Sequence, residues 1–494
     1  MSEEFRPTEN QDVLVPAALV EPAGCCVASI ISWLVILGIV AFLFFNVLIS
    51  QLSPPVAEGG ISGAELMNVN LMGRILMGQS EIDPKNKSSL VGQLGQFNTG
   101  PVEQRYCYAI FTNELESAEI AIEKLKATDD TVEKFGYELS PDQTRLREII
   151  GQLFQEYESG QLDSSIIPQA DRDFLTSNLG WCGDLALVPP GTPNKTMRRN
   201  VMGKALSALW IMMGVVVFGI GILLCGFISL AVIFYLTVTG NIQSKMHDQA
   251  RRGSIYLQTF AIWMFLFVLL QILSGLAARW ISHPLTEQLL MPAAFFLSLI
   301  VLAWPVLCGI SFREVRDDIG LKLGNPFKEI MAGVIAYMAL LPILLCAAVV
   351  SVMLAAILSL MQPTSEFGGG TQGGHPIQED IATGDITTWL VVFITACIAA
   401  PIIEETMFRG VFYRHLRNAT HGWRRYQSVG FAALVNGLIF ASIHPQGIIG
   451  IPLLTTLAVG FSLTRQWRDS LIAPMVMHAI NNGLVTCTLF LLLS

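Results

Sequence analysis

The stretch Ile402-Ile403-Glu404-Glu405-Thr406-Met407-Phe408-Arg409-Gly410 sits inside an otherwise apolar run from about 387 to 415. Two adjacent glutamates, with an arginine four residues on, stand where a helix should be crossing hydrocarbon. A charged side chain at the centre of a bilayer costs about 3 kcal/mol or more, so intramembrane Glu, Arg and His mark functional sites by default. Glu405 and Arg409 are spaced i,i+4 and can pair along one helix face. Glu404 lies about 100° around the helix and needs a different partner. That separation divides the labour: Glu405 is neutralised by Arg409, while Glu404, in an apolar setting, suits general-base work.

Composition supports the membrane reading. Of 494 residues, 52% are hydrophobic and only 14% charged, against roughly 25% charged in soluble domains. Mean hydropathy is +0.54. This is an integral membrane protein in contact with the lipid bilayer. The net charge of -9, with no basic tail or Lys/Arg run, excludes nucleic acid as a partner. Nine cysteines show no CxxC or zinc-finger spacing, and Cys225, Cys308, Cys346, Cys397 and Cys487 fall in apolar segments, where Cys behaves as a small hydrophobe. Residues 1–25 read as a cytoplasmic tail: they are acidic, and the apolar run that follows is too long for a signal-peptide core.

About 20 apolar residues are needed to cross a bilayer. Nine segments meet that length or approach it: 26–49, 204–237, 257–278, 289–311, 329–361, 387–415, 428–446, 448–464 and 471–493. The eighth is short, begins near Pro452 and is expected to be irregular. The fold class expected is all-α: a polytopic transmembrane helix bundle of about nine spans with an inserted small α-helical soluble domain. Loops 238–256 and 312–328, the stretch near 414–427 and the turn 465–470 carry most of the loop Lys/Arg, whereas 362–386 has none. This bias places the N-terminus in the cytoplasm. Arg198, Arg199 and Lys204 run against that orientation.

The organisation expected is a first transmembrane helix at 26–49, an extracytoplasmic helical domain at 50–203, transmembrane helices 2–5 over 204–361, a flexible Gly-rich linker at 362–386 and a membrane core at 387–494. Cys107 and Cys182 are the cysteines of the soluble part. They can pair in an oxidising compartment, or stand as two buried thiols.

Two later segments add to the glutamates. Phe440 and His444 share a helix face at i,i+4, with Asn436 one turn back; His478 and Asn482 share another, with Asn481 nearly as close. If the sixth helix continues past the glutamates to about Leu416, Glu404 lies ~18 Å from its inner end, His444 ~24 Å into the seventh and Asn482 ~17 Å into the ninth. Tilt lets all three share one layer. Each feature also has a plainer reading. The Glu/Arg trio can be a buried ion-pair network or an ion path, His444, which precedes Pro445, can cap a helix, and His478 can be a packing histidine.

Taken together, EExxxR, FxxxH and HxxxN, in that order on separate spans, resemble the CPBP family of intramembrane endopeptidases. That family takes in type II CAAX prenyl proteases and the bacteriocin-processing and immunity (Abi) proteins. The resemblance covers about 387–494, and more loosely the helices from 204. It implies that Glu404 and His444 activate water for attack on a peptide carbonyl. His478 and Asn482 would stabilise the oxyanion, with Glu405, Arg409 and Phe440 in support. Two histidines and a glutamate (His444, His478, Glu404) are also a zinc donor set with an open position, although HExxH is absent. The reading preferred here is metal-free, with zinc the alternative. The substrate expected is a membrane-associated protein or peptide, the setting a bacterial inner membrane, and the partner of 50–203 is unknown. A non-catalytic membrane scaffold, or a bacteriocin-immunity-type protein acting through 50–203, is the reading from another class. A transporter ranks third, for want of an inverted repeat.

Overall fold

The computed structural model describes residues 25–52, 60–246, 252–281, 284–322, 324–361, 367 and 386–493, and among these every regular element is helical. The N-terminal tail and nearly all of the Gly-rich linker expected at 362–386 lie outside the described residues.

The first helix, α1, spans Cys25–Leu52. Seven further helices then form the soluble part: α2 (Gly63–Ile82), α3 (Lys87–Leu94), α4 (Val102–Leu115), α5 (Ala118–Phe135), α6 (Pro141–Glu158), α7 (Gln169–Leu179) and α8 (Trp181–Ala186). Their ends are fixed locally. Ser62 and Ser140 form capping boxes with Glu65 and Gln143, and Gly136 ends α5 in the left-handed region at φ 61°. Both devices satisfy orphan groups at helix termini. Val69, Tyr106, Phe111, Phe154, Trp181 and Leu185 share one core.

Next comes α9, Lys195–Val238, at 44 residues roughly 66 Å long. It begins nine residues before the apolar segment at 204 because its first turns pack on the soluble helices rather than in lipid. Val201 and Met202 join the soluble core, and a Cβ at Gly78 would come within 2.6 Å of the Ala205 carbonyl oxygen. The basic residues that ran against the orientation are partly occupied here. Arg198 donates two bonds to the Glu114 carboxylate at 2.7 and 3.0 Å, and Lys204 lies 3.7 Å from Asp184.

The remaining elements are α10 (Ile255–Ala278), α11 (Pro284–Ser298, prolonged to Leu307), the short α12 (Phe312–Ile319) and α13 (Pro326–Met361). They are followed by α14 (386–419), α15 (Arg425–Ser442), α16 (Gly447–Arg468) and α17 (Ile472–Leu493). Among the described residues, eight helices are long and apolar enough to cross a membrane: α1, α9, α10, the 288–307 part of α11, α13, α14, α16 and α17. The protein is therefore a polytopic helical membrane protein. The seventh of the nine segments expected, α15, is a helix of 18 residues but not one of the eight. Its polar first turn, Arg425-Tyr426-Gln427-Ser428, and Asn436 dilute its apolarity. The irregularity expected near Pro452 is corrected. α16 runs unbroken for 22 residues with Pro452 inside it.

Close backbone approaches assemble the bundle, as small residues do in membranes. A Cβ at Gly333 of α13 would come within 2.6 Å of the Ala473 carbonyl on α17. α14 continues through both glutamates to Ala419, but it is not a regular α-helix. It contains two wide, i→i+5 turns, at Thr395–Ala399 and Glu405–Phe412. Such turns free backbone carbonyls and recur at functional sites.

Candidate active site

Each wide turn of α14 meets an asparagine from a neighbouring helix. Asn436 of α15 donates to the Phe408 carbonyl at 2.7 Å, and Asn482 of α17 donates to the Ala396 carbonyl at 2.8 Å. A carbonyl buried in hydrocarbon has no water to turn to, so these two side chains make the distorted helix affordable. Between them lie the acids.

Glu405 and Arg409 are both fully buried. Glu405 Oε1 accepts from Arg409 Nη1 at 2.9 Å, and His478 Nδ1 lies 2.9 Å from the same oxygen. The guanidinium is enclosed by aromatic faces, with its central carbon 4.7 Å from the Phe440 ring centre and 5.1 Å from that of Phe461. A cation over desolvated rings gains about 2 kcal/mol. The same two rings hold the histidines. Phe461 stacks on His478 at 5.4 Å, and Phe440 packs against His444 at 4.2 Å.

His444 is not inside a helix as the spacing suggested, because α15 ends at Ser442 and His444 lies in the turn beyond it. Its Nδ1 is 2.6 Å from the Phe440 carbonyl oxygen. The plainer reading of His444 as a helix cap is therefore part of what it does. Capping also aims the ring. Nδ1 faces an oxygen that can only accept, so it carries the proton, and Nε2 turns toward Glu404. Glu405 orients the His478 ring in the same way, through Nδ1 at 2.9 Å, the usual means by which an outer partner holds a histidine in place.

Glu404 Oε2 lies 4.0 Å from His444 Nε2 and 3.9 Å from His478 Nε2. This oxygen is buried and has no hydrogen-bond partner in the protein. Three polar atoms on α14, α17 and the turn after α15 thus face one small volume.

The spacing can be compared with what each candidate occupant requires. A zinc ion about 2.0–2.1 Å from each donor would draw neighbouring donors to roughly 3.4 Å. A water about 2.8 Å from each spans ~4 Å when its contacts open near a right angle. No group of three His, Cys, Asp or Glu among the described residues is disposed to hold a metal ion.

Glu404, Glu405, Arg409, Phe440, His444 and His478 are brought together. Asn482 is not joined to them by a hydrogen bond. Its Nδ2 donates to Ala396, and its Oδ1 accepts from Asn481, which in turn accepts from the Tyr337 hydroxyl. Sequence reasoning missed Phe461, a lone aromatic in a segment with no charged residue or histidine to mark it, and the hydrogen bond between His478 Nδ1 and Glu405.

Residues 386–484 match the family described as type II CAAX prenyl endopeptidase Rce1-like. Among curated proteins, the chain is similar to the membrane-embedded CAAX protease MroQ of Staphylococcus aureus, with 36% identity over 88 residues. That match covers 18% of this chain and 35% of the relative, so the chain spans about a third of the relative's length. No solved structure matches. The matched segment holds every residue of the constellation, so the site lies within the part of this integral membrane protein that is similar to Rce1-like type II CAAX prenyl endopeptidases.

Proposed function

We propose that the chain is an intramembrane endopeptidase that hydrolyses a peptide bond of a membrane-associated protein or peptide. The observation that carries this reading is the convergence of His444 Nε2 and His478 Nε2 on the buried, unpartnered Glu404 Oε2. A water held by Glu404 and His444 attacks the scissile carbonyl carbon, and Glu404 takes its proton. The oxyanion that forms is met by His478 as an imidazolium, whose charge the Glu405 carboxylate answers at Nδ1. The second hydrogen of Asn482 Nδ2 is the other donor. The proton on Glu404 then passes to the leaving amine nitrogen as the C–N bond breaks.

No metal is needed for these steps, and the 3.9–4.0 Å spacing of the donor atoms supports water as the resident species. Glu405 and Arg409 position His478 rather than touch substrate, and Phe440 positions His444. The helices of the soluble part lie on the extracytoplasmic face in this reading, with the N-terminus in the cytoplasm of a bacterial cell and the bundle in its inner membrane. The ion pairs of Arg198 and Lys204 ease the objection those residues raised to that orientation.

The test compares new protein termini in membranes from cells expressing the wild-type chain or Glu404→Gln at matched levels. Termini that require Glu404 support the endopeptidase and identify its substrates. Identical sets of termini from two folded, inserted proteins would overturn it in favour of a non-catalytic scaffold.

A further inference from the structure

His444 does not sit on a helix, so something must hold its turn. On one side the turn is fixed by the end of α15, through the Phe440 carbonyl. On the other side the clamp comes from far away in sequence. The carboxamide of Gln51, in the last turn of α1, donates from Nε2 to the Gln446 carbonyl at 3.0 Å, and its Oε1 accepts from the Ile448 backbone N–H at 3.3 Å. These two groups flank Gly447, which stands in the left-handed region at φ 59°, and a Cβ there would collide with the Gln51 carboxamide. The Gly447 N–H in turn donates to the His444 carbonyl at 3.3 Å. A single side chain thereby bridges the backbone two and four residues after His444. The absence of a side chain at Gly447 is what lets it approach.

We infer that Gln51 is a positioning residue for His444, so that α1, which lies outside the Rce1-like segment, completes the active site. The inference rests on the reading of His444 as part of that site. Carboxamides suit this task because one group donates and accepts at once, matching the two unlike backbone atoms it faces. Misplacing a catalytic group by about an ångström costs up to ~100-fold in rate. The position of Gln51 also matters, because it is the last turn of α1 before the chain leaves for the soluble helices, whose α2 begins at Gly63.

The test uses the full-length protein with Gln51→Met, which keeps the length and bulk of the side chain but neither bond, and Gln51→Ala. Both are expected to lower the formation of Glu404-dependent termini roughly tenfold at unchanged level in the membrane. A second readout needs no substrate. Carbethoxylation of His444 by diethylpyrocarbonate in the purified protein, followed by peptide mass spectrometry, should run several-fold faster in both variants. Wild-type cleavage and wild-type His444 reactivity in Gln51→Met would overturn the inference. If Glu404→Gln leaves all termini unchanged, the endopeptidase reading fails, and His444 reactivity alone decides whether Gln51 holds the turn.

Discussion

His478 and Glu405, 73 residues apart on α17 and α14, meet at 2.9 Å between Nδ1 and Oε1, on the same oxygen that accepts from Arg409. Glu405 is therefore the hub of the site, since it compensates a buried guanidinium and holds a histidine against Glu404. Glu405→Gln leaves the buried Arg409 without its hydrogen-bonded ion-pair partner, and breaking a buried pair this way costs about 3–5 kcal/mol. We expect a large drop in detergent-solubilised thermal stability, and loss of any His478-dependent activity with it. A variant as stable as wild type would show that the pair is not structural.

Asn436→Leu keeps the size of the side chain but removes the donor to the Phe408 carbonyl. An orphaned buried acceptor costs about 1–3 kcal/mol. Unfolding followed by chemical denaturation should register that loss. Asn482→Leu should cost a similar amount at Ala396 and in addition abolish cleavage, if Asn482 also serves the oxyanion. Equal cleavage by Asn482→Leu and wild type would remove Asn482 from the site.

Much of this was legible in the sequence, for particular reasons. The thickness of hydrocarbon enforces apolar runs of fixed length, so the spans could be read directly, and the i,i+4 pairing of Glu405 with Arg409 follows from helix geometry alone. What the helical period could not show is where the period fails. The wide turn that starts at Glu405 breaks the regular phase used to separate Glu404 from Glu405, and His478 touches one and faces the other. The partner of Asn482 is hidden for the same reason, because Ala396 has a carbonyl to offer only in a wide turn. Gln51 bonds at a sequence separation of 395 residues, and no local pattern reports such a contact.

Close helix contact gives a third expectation. At Gly333, an added methyl would meet the Ala473 carbonyl at 2.6 Å and Val476 at 2.9 Å, on the helix that carries His478 one turn later. Gly333→Ala should therefore push α13 from α17, with an overpacking cost of about 1–3 kcal/mol. A fall in cleavage beyond the loss in folded protein would show that the displacement reaches His478. An unchanged thermal midpoint would contradict the packing described.

Cys107 and Cys182 are both fully buried in the soluble core as thiols. Burial first, and the Cys107 thiol beside it second, push the Cys182 thiol well above its usual range. Thiolate is the reactive form, so maleimide at neutral pH should label neither residue in the folded protein and both after denaturation. The linked stability is full below about pH 8.5, the unfolded thiol's value, and is lost as pH rises through the raised folded one. Rapid native labelling of Cys182 would contradict this packing.

If Glu404 is the catalytic base, one comparison exposes it most directly, namely the quantitative survey of new protein termini in membranes containing wild type or Glu404→Gln at equal abundance. The expected result is a defined set of termini from membrane-associated proteins that disappears with the substitution. A set that persists unchanged, from a variant shown to be folded and inserted, would contradict catalysis by Glu404.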